Sequence, residues 1–446
     1  MIDVEVGRWL DPEAAFLALD DGRSEVVWFD SGVHADSGMS LLGWAGDAPR
    51  RLAAHDAADA EAMLAALRGE LSMPGDALLP LWAGWFSHEF GSALLGVPPV
   101  HAPGAGVHGA APRAALAAAM LVERAVMFDH AERTVRVIAT AADEGWLDAT
   151  AAALAAAPAA ASAPPTIARA GEIARTHDDA AYLELIRACQ ARIAAGDAYQ
   201  LCLTEQWSTR RPADPVAVYR RLRRLAPSHH GGFLRLGGRE LLSASPERFV
   251  EVGPGGRAVT RPMKGTRPRA AEPAVDAALA AELLASEKER AENLMIVDLV
   301  RNDLSKVSEL GSVAVESLFA VESYRTVHQL VSTVSGRLAP GAGAVGAFAT
   351  LFPAGSMTGA PKRRAVELLQ GLEGVPRGAY AGAFGYFAAD GSADFATTIR
   401  TIVIEGDRAT FGTGGGITSS SDPAAELAEM KLKAAALIAA LGAGDR

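Results

Sequence analysis

Residues 381-AGAFGYFAADGSADFATTIRTIVIEGD-407 contain two strand-forming runs, 381-AGAFGYFAA-389 and 399-IRTIVIEGD-407, with hairpin-like turn chemistry at 389-ADGS-392. A tight turn after a strand predicts antiparallel pairing, because parallel neighbours need a long crossover. Working outward, 26-VVWFDSG-32, 134-TVRVIAT-140, 198-AYQLCLTEQWS-208, 248-RFVEV-252 and 311-GSVAVESLFAV-321 have the same strand character. Residues 178 to 195 show helical spacing and stop at Gly196, and Ala-rich stretches before residue 149 read as helical. Neighbouring strands interspersed with helices predict an α+β protein with largely antiparallel sheets.

The stretch 149-ATAAALAAAPAAASAPP-165 is low in complexity and ends in two prolines. It reads as a linker or peripheral helix joining two segments. The expected organisation is therefore 1–148, an Ala/Pro-rich linker at 149–168, and 169–446.

Half of the 446 residues are apolar, enough for a sizeable core. The formal charge of −11 argues against a nucleic-acid footprint. An anionic substrate would need a site made locally positive by basic residues or a metal. The two cysteines, Cys189 and Cys202, suit a reducing compartment and exclude a disulfide framework. The start, MIDVEVGRWLDPEA, lacks a basic n-region and an apolar h-region, and the Ala-rich tracts are interrupted by Pro, Asp and Gly. A cytoplasmic protein without membrane spans is expected.

Several constellations bear on chemistry. Gly412, Gly414, Gly415 and Gly416 crowd what reads as a loop, followed by Asp422 as N-cap and Pro423 at the first helical position. On the ensuing helix Glu426, Glu429 and Lys433 share one stripe. That stripe is either a solvated charged face or a carboxylate pair for a hard cation such as magnesium. In 286-SEKERAENLMIVDLVRNDLSKV-307, Ser286 and Glu289 form a capping pattern, which leaves Glu292 unexplained beside an apolar run. Glu247, in 243-SASPERF-249, reads by itself as a solvent residue at a strand edge. Thr358, in 352-FPAGSMTGAPKRR-364, reads as the cap of a helix whose first turn holds Pro361. That stretch is not a nucleotide loop, since Gly359 is followed by Ala-Pro-Lys, and the Gly412 cluster fails as a dinucleotide fingerprint. His328, in an apolar run, reads by default as a satisfied core histidine. Lys264, in 261-RPMKGTRPR-269, is held between prolines with a glycine behind it, and is either a solvated cation or an aimed amine.

Together the motifs 243-SASPERF-249, 261-RPMKGTRPR-269, 290-RAENLMIVDLVRNDL-304, 328-HQLVSTVSG-336, 352-FPAGSMTGAPK-362, 380-YAGAFGYF-387, 398-TIRT-401 and 414-GGGI-417 resemble the chorismate-utilising enzymes. That family includes the component I subunits of anthranilate synthase and aminodeoxychorismate synthase. The N-terminal portion, with 28-WFDSG-32 and 84-GWFSHEFG-91, resembles the family's divergent region. The resemblance implies two large, mostly antiparallel sheets packed as a sandwich with helices outside.

It also implies chorismate as substrate and Mg2+ as cofactor. Glu292 and Glu429, with Glu426 close by, would hold the metal. Arg400 and Tyr380 would take the enolpyruvyl carboxylate, and Gly414, Gly415 and Gly416 another carboxylate, beside Lys433 and Thr358. Within the family, anthranilate synthases usually carry a small apolar residue at the position of Lys264, whereas aminodeoxychorismate synthases carry lysine. Gln200 replaces the basic lysine of the isochorismate branch. The pair resembles the aminodeoxychorismate branch, in which Lys264 would act as nucleophile, Glu247 as general acid and His328 near the ring hydroxyl. The implied product is 4-amino-4-deoxychorismate, for 4-aminobenzoate and folate biosynthesis. Ammonia would come from a separate glutamine amidotransferase. Cys202, where that branch often has asparagine, and Ala354, in place of a glycine, depart from the pattern.

Overall fold

The computed structural model describes residues 1–443, apart from 34, 72–74, 76, 101–113, 141, 142, 165, 166, 168–170 and 326. The described strands form one sheet of twelve and one of ten. Adjacent strands run antiparallel, as in the Ala383–Ala388 and Ala393–Thr397 hairpin, where Ala383 faces Thr397. The turn chemistry at 389–392 thus forms the predicted hairpin, with Ala393–Thr397 as its second strand and Thr401–Glu405 in the other sheet.

Three apolar layers hold the molecule together. One lies between the sheets and includes Val27, Leu41, Trp85, Met120, Leu234 and Phe384. The others pack helices on the outer faces, with Phe16, Tyr219 and Met430 on one side and Ile296, Val300 and Phe348 on the other. The result is the expected sandwich with helices outside.

The first 148 residues are woven into both sheets. Val26–Asp30 pairs with Gly231–Leu236, and Leu81–Phe86 pairs with Ala383–Ala388. One Ala-rich stretch departs from the helical reading: Ala117–Val122 is a strand, buried at every residue. Paired on both sides, by Arg51–Ala54 and Leu81–Phe86, it satisfies its backbone in the sheet, and tertiary context overrides alanine's helix propensity. The helix Glu144–Ala156 takes in the start of the 149–168 segment, whose residues 165, 166 and 168 lie outside the described ones.

Two chain segments cross between the sheets side by side. Arg239–Ser243 belongs to the twelve-stranded sheet and Arg248–Val252 to the ten-stranded one. Ala393–Thr397 and Thr401–Glu405 make the reverse passage. The crossings are joined by Ala244 N–H to Arg400 O at 3.1 Å and Thr397 N–H to Glu247 O at 3.0 Å. Glu247 and Arg400 therefore stand on adjacent crossovers, where the chain has left one ladder and not yet joined the next.

Candidate active site

Glu247 is not a solvent residue. It is 8% exposed, and Ser356 Oγ, on the short turn Gly355–Met357, donates to its Oε1 at 2.7 Å. Burial pushes its carboxyl above the ordinary range, against the Ser356 hydrogen bond and the Lys264 charge. Such a group holds a proton more readily than an exposed glutamate.

Lys264 lies in the strand Met263–Pro268, opposite Leu330, with a bulge between Lys264 and Thr266. Gly265 there has φ +74, a conformation that glycine adopts without cost, and it takes up the register shift at the bulge. Lys264 is half-buried, and its charge acts on Glu247, Glu292 and Glu429.

The strand Arg408–Ile417 absorbs the predicted glycine loop. Gly414 faces Thr204 and Gly416 faces Cys202 across the antiparallel strand Gln200–Arg210. Close approach explains the glycines. A Cβ on Gly414 would lie 2.2 Å from Leu203 O, one on Gly416 2.1 Å from Gln200 Nε2, and one on Gly412 2.1 Å from the Tyr380 ring. The strand's other neighbour pairs only as far as Phe411, so beyond it one edge of the glycine segment has no ladder partner among the described residues.

Arg400 has φ +47, strained for a residue with a side chain. Among the described residues no carboxylate pairs with its guanidinium, and burial alone pushes its pKa down. A desolvated, uncompensated cation calls for an anion. Tyr380 is buried on the neighbouring turn, which is tied to the Arg400 crossover by Ala381 N–H to Thr398 O at 2.9 Å. Gln200 is 1% exposed, and neither end of its amide has a partner among the described residues. Cys202, also buried, lies within reach of the Lys264 and Lys433 charges.

The carboxylates come from two helices. Ser286 caps Glu287–Ser305 by accepting from Glu289 N–H, which brings Glu292 to the inner face at 9% exposure. Asp422 caps Pro423–Ala440 through Ala425 N–H, and Glu426 is 5% exposed there. Lys288 Nζ lies 3.3 Å from Glu426 Oε1 and 3.8 Å from Glu292 Oε1. Glu429, nearer solvent, pairs with Lys433 at 2.8 Å, and Lys433 also donates to Gly414 O. Burial raises the pKa of Glu292, whereas the lysines more than offset burial at Glu429 and leave it below its ordinary range. No group of three or more His, Cys, Asp or Glu is arranged to hold a metal among the described residues. The donor chemistry still suits a hard dication, since these are carboxylate oxygens and Glu292 accepts no hydrogen bond among the described residues.

Two predicted residues sit differently. Thr358 does not cap a helix: Lys362–Glu373 starts behind Pro361, while Thr358 closes the Gly355–Met357 turn and its carbonyl accepts from Cys202 N–H. His328 is 2% exposed, with Nε2 at 2.9 Å from Asp276 Oδ1 and Nδ1 at 2.8 Å from Ser323 Oγ. Those partners lie outside the carboxylate cluster.

Other supporting groups escaped the sequence reading. Arg377, buried, donates to Glu373, Met357 O and Cys202 O. Glu89 accepts from Arg377 N–H at 2.7 Å and Gly378 N–H at 3.0 Å, just ahead of Tyr380. Glu89 lies within 84-GWFSHEFG-91, but nothing local marks it as a clamp on a segment nearly 300 residues away.

A family model described as chorismate binding enzyme matches residues 25–439. The chain belongs to that family. An aminodeoxychorismate synthase of Streptomyces griseus is 40% identical over 464 residues, covering 97% of this chain and 62% of that protein. An anthranilate synthase component 1 of Methanothermobacter thermautotrophicus is 44% identical over 265 residues, covering 59% of this chain and 57% of that protein. The chain thus spans about three fifths of the length of these relatives. Among solved structures, anthranilate synthase component I of Streptococcus pneumoniae superposes with a TM-score of 0.76 at 27% identity, covering 98% of this chain and 99% of that one. The expected fold is that of this neighbour.

Proposed function

We propose that the protein aminates chorismate at C4 with ammonia, giving 4-amino-4-deoxychorismate. The observation that carries this reading is a half-buried lysine near a buried acid: Lys264 lies close enough for its charge to act on Glu247, which is 8% exposed and held by Ser356 Oγ. The 40% identity to an aminodeoxychorismate synthase supports the same branch.

In this reading Arg400 takes one substrate carboxylate, which satisfies its unpaired guanidinium, and Tyr380 lines the same end. The free edge at Gly414, Gly415 and Gly416 offers backbone N–H groups to an anion. Glu292, Glu426 and Glu429 would hold Mg2+, which when bound supplies positive charge to anchor a substrate carboxylate.

The Lys264 amine attacks ring C2 and forms a C–N bond. The ring double bonds shift, the C4–O bond breaks, and Glu247 protonates the departing hydroxyl, which leaves as water. Ammonia then adds at C4, the double bonds return, and the C2–N bond to Lys264 breaks. Two allylic displacements put nitrogen at C4 and leave the enolpyruvyl ether intact. Gln200 cannot deprotonate water, which disfavours hydroxylation. His328, bound at both ring nitrogens to Ser323 and Asp276, lies on the strand Val327–Arg337, which pairs with the strand that carries Lys264. The ammonia source would be a separate glutamine amidotransferase.

The second reading, amination at C2 with loss of pyruvate to give anthranilate, is favoured by the 44% identical relative. Intact-mass analysis after mixing with chorismate and magnesium, without ammonia, separates the two. The C4 reading predicts an adduct on Lys264 that Lys264→Ala abolishes. Anthranilate fluorescence on adding ammonium, undiminished in that variant, would overturn it.

A further inference from the structure

Lys288 has no part in the chemistry just described, yet it occupies the centre of the carboxylate cluster. Its ammonium bridges Glu426 at 3.3 Å and Glu292 at 3.8 Å, two carboxylates brought in by different helices. Both are nearly buried, and Ser421 Oγ donates to the same Glu426 Oε1 at 2.8 Å. Without a cation between them, two ionised carboxylates so placed would repel. The lysine side chain is 49% exposed, so its flexible stem can carry the ammonium out to solvent without opening the core. A dication binding both carboxylates needs the space that the ammonium fills.

We propose that Lys288 is a displaceable counter-ion: it neutralises Glu292 and Glu426 in the metal-free protein and is exchanged for the divalent cation. This rests on the metal reading above. The exchange holds the cluster together before metal arrives and weakens metal binding by the attraction that must be given up.

Titration calorimetry of Mg2+ into metal-free protein, with no substrate present, tests this. Lys288→Met keeps the apolar stem and removes the charge. It should tighten the magnesium Kd by roughly tenfold or more and lower the Tm of the metal-free protein, with magnesium restoring the Tm. Lys431→Met removes the same charge from an exposed site paired with Asp179 and should leave the Kd unchanged. Lys288→Arg, which keeps the charge and grips carboxylates in a planar fork, should weaken the metal severalfold while folding normally. A wild-type chain that binds magnesium while Lys288→Met binds it equally or more weakly overturns the counter-ion and spares the metal reading. Weaker chorismate binding in Lys288→Met with unchanged magnesium affinity assigns the lysine to substrate and overturns it too. A wild-type chain that binds no magnesium overturns both.

Discussion

Arg400 shows how a single side chain announces a ligand. Its backbone is strained, and its half-buried cation has no carboxylate partner among the described residues, a charge that costs stability unless an anion is bound. Arg400→Ala should therefore raise the KM for chorismate about 100-fold with little loss of Tm; a substantial fall in Tm with KM intact would make the residue structural. Glu247→Gln keeps the hydrogen-bond partner of Ser356 but removes the transferable proton, and kcat should fall by roughly 100-fold to 10,000-fold. Near-normal turnover in that variant would move the proton donor elsewhere. Glu292→Gln should raise the magnesium requirement steeply, read as the metal concentration giving half-maximal rate.

At the scale of elements, the glycine strand divides what local sequence shows from what it hides. Four glycines within five residues read naturally as a loop, because glycine is poor in isolated strands. The decisive fact is nonlocal: the partner backbone at Leu203 and the ring of Tyr380 stand too close for any Cβ. Gly414→Ala should cost about 1–3 kcal/mol or more and weaken substrate binding, measured by denaturant midpoint and KM together. The helices were easier to read. Ser286 and Asp422 are local caps, and both helices start where those residues place them. Glu292, Glu426 and Glu429 are accordingly visible as candidates, and Lys264 stands out by its proline and glycine neighbours, whereas Glu247 alone reads as a solvent residue because the groups that surround it, such as Ser356, lie more than 100 residues downstream. Glu89 and Arg377 were missed for the same reason.

Glu89 also carries a pH signature. Burial raises its carboxyl to about 7, so between its ordinary value and that point the folded chain holds a proton that the unfolded chain has lost. Stability from this group is complete below about pH 4.5 and is lost as pH rises toward 7, by up to ~3 kcal/mol. The Tm difference between wild type and Glu89→Gln should shift accordingly across that window; a constant difference would show that Glu89 does not titrate there.

Across the whole molecule, the apparent break near residue 149 conceals interlocked halves. Composition changes at the Ala/Pro-rich segment, but pairing does not follow composition: N-terminal strands sit inside both sheets next to C-terminal ones. The antiparallel α+β class was legible from alternating strands and turns, while strand order was not, since pairings such as Leu81–Phe86 with Ala383–Ala388 span 300 residues. Calorimetry should show one unfolding transition for the two halves; two resolved transitions would contradict the shared sheets. No helix among the described residues is long and apolar enough to cross a membrane.

Where nitrogen enters the ring is the claim on which the rest turns. Incubating the protein with chorismate, magnesium and isotope-labelled ammonium, then locating the label by mass spectrometry and NMR, measures it directly. The expected product carries the label at C4 with its pyruvyl group retained, and disappears in Lys264→Ala. Labelled anthranilate, formed equally by wild type and that variant, would contradict it.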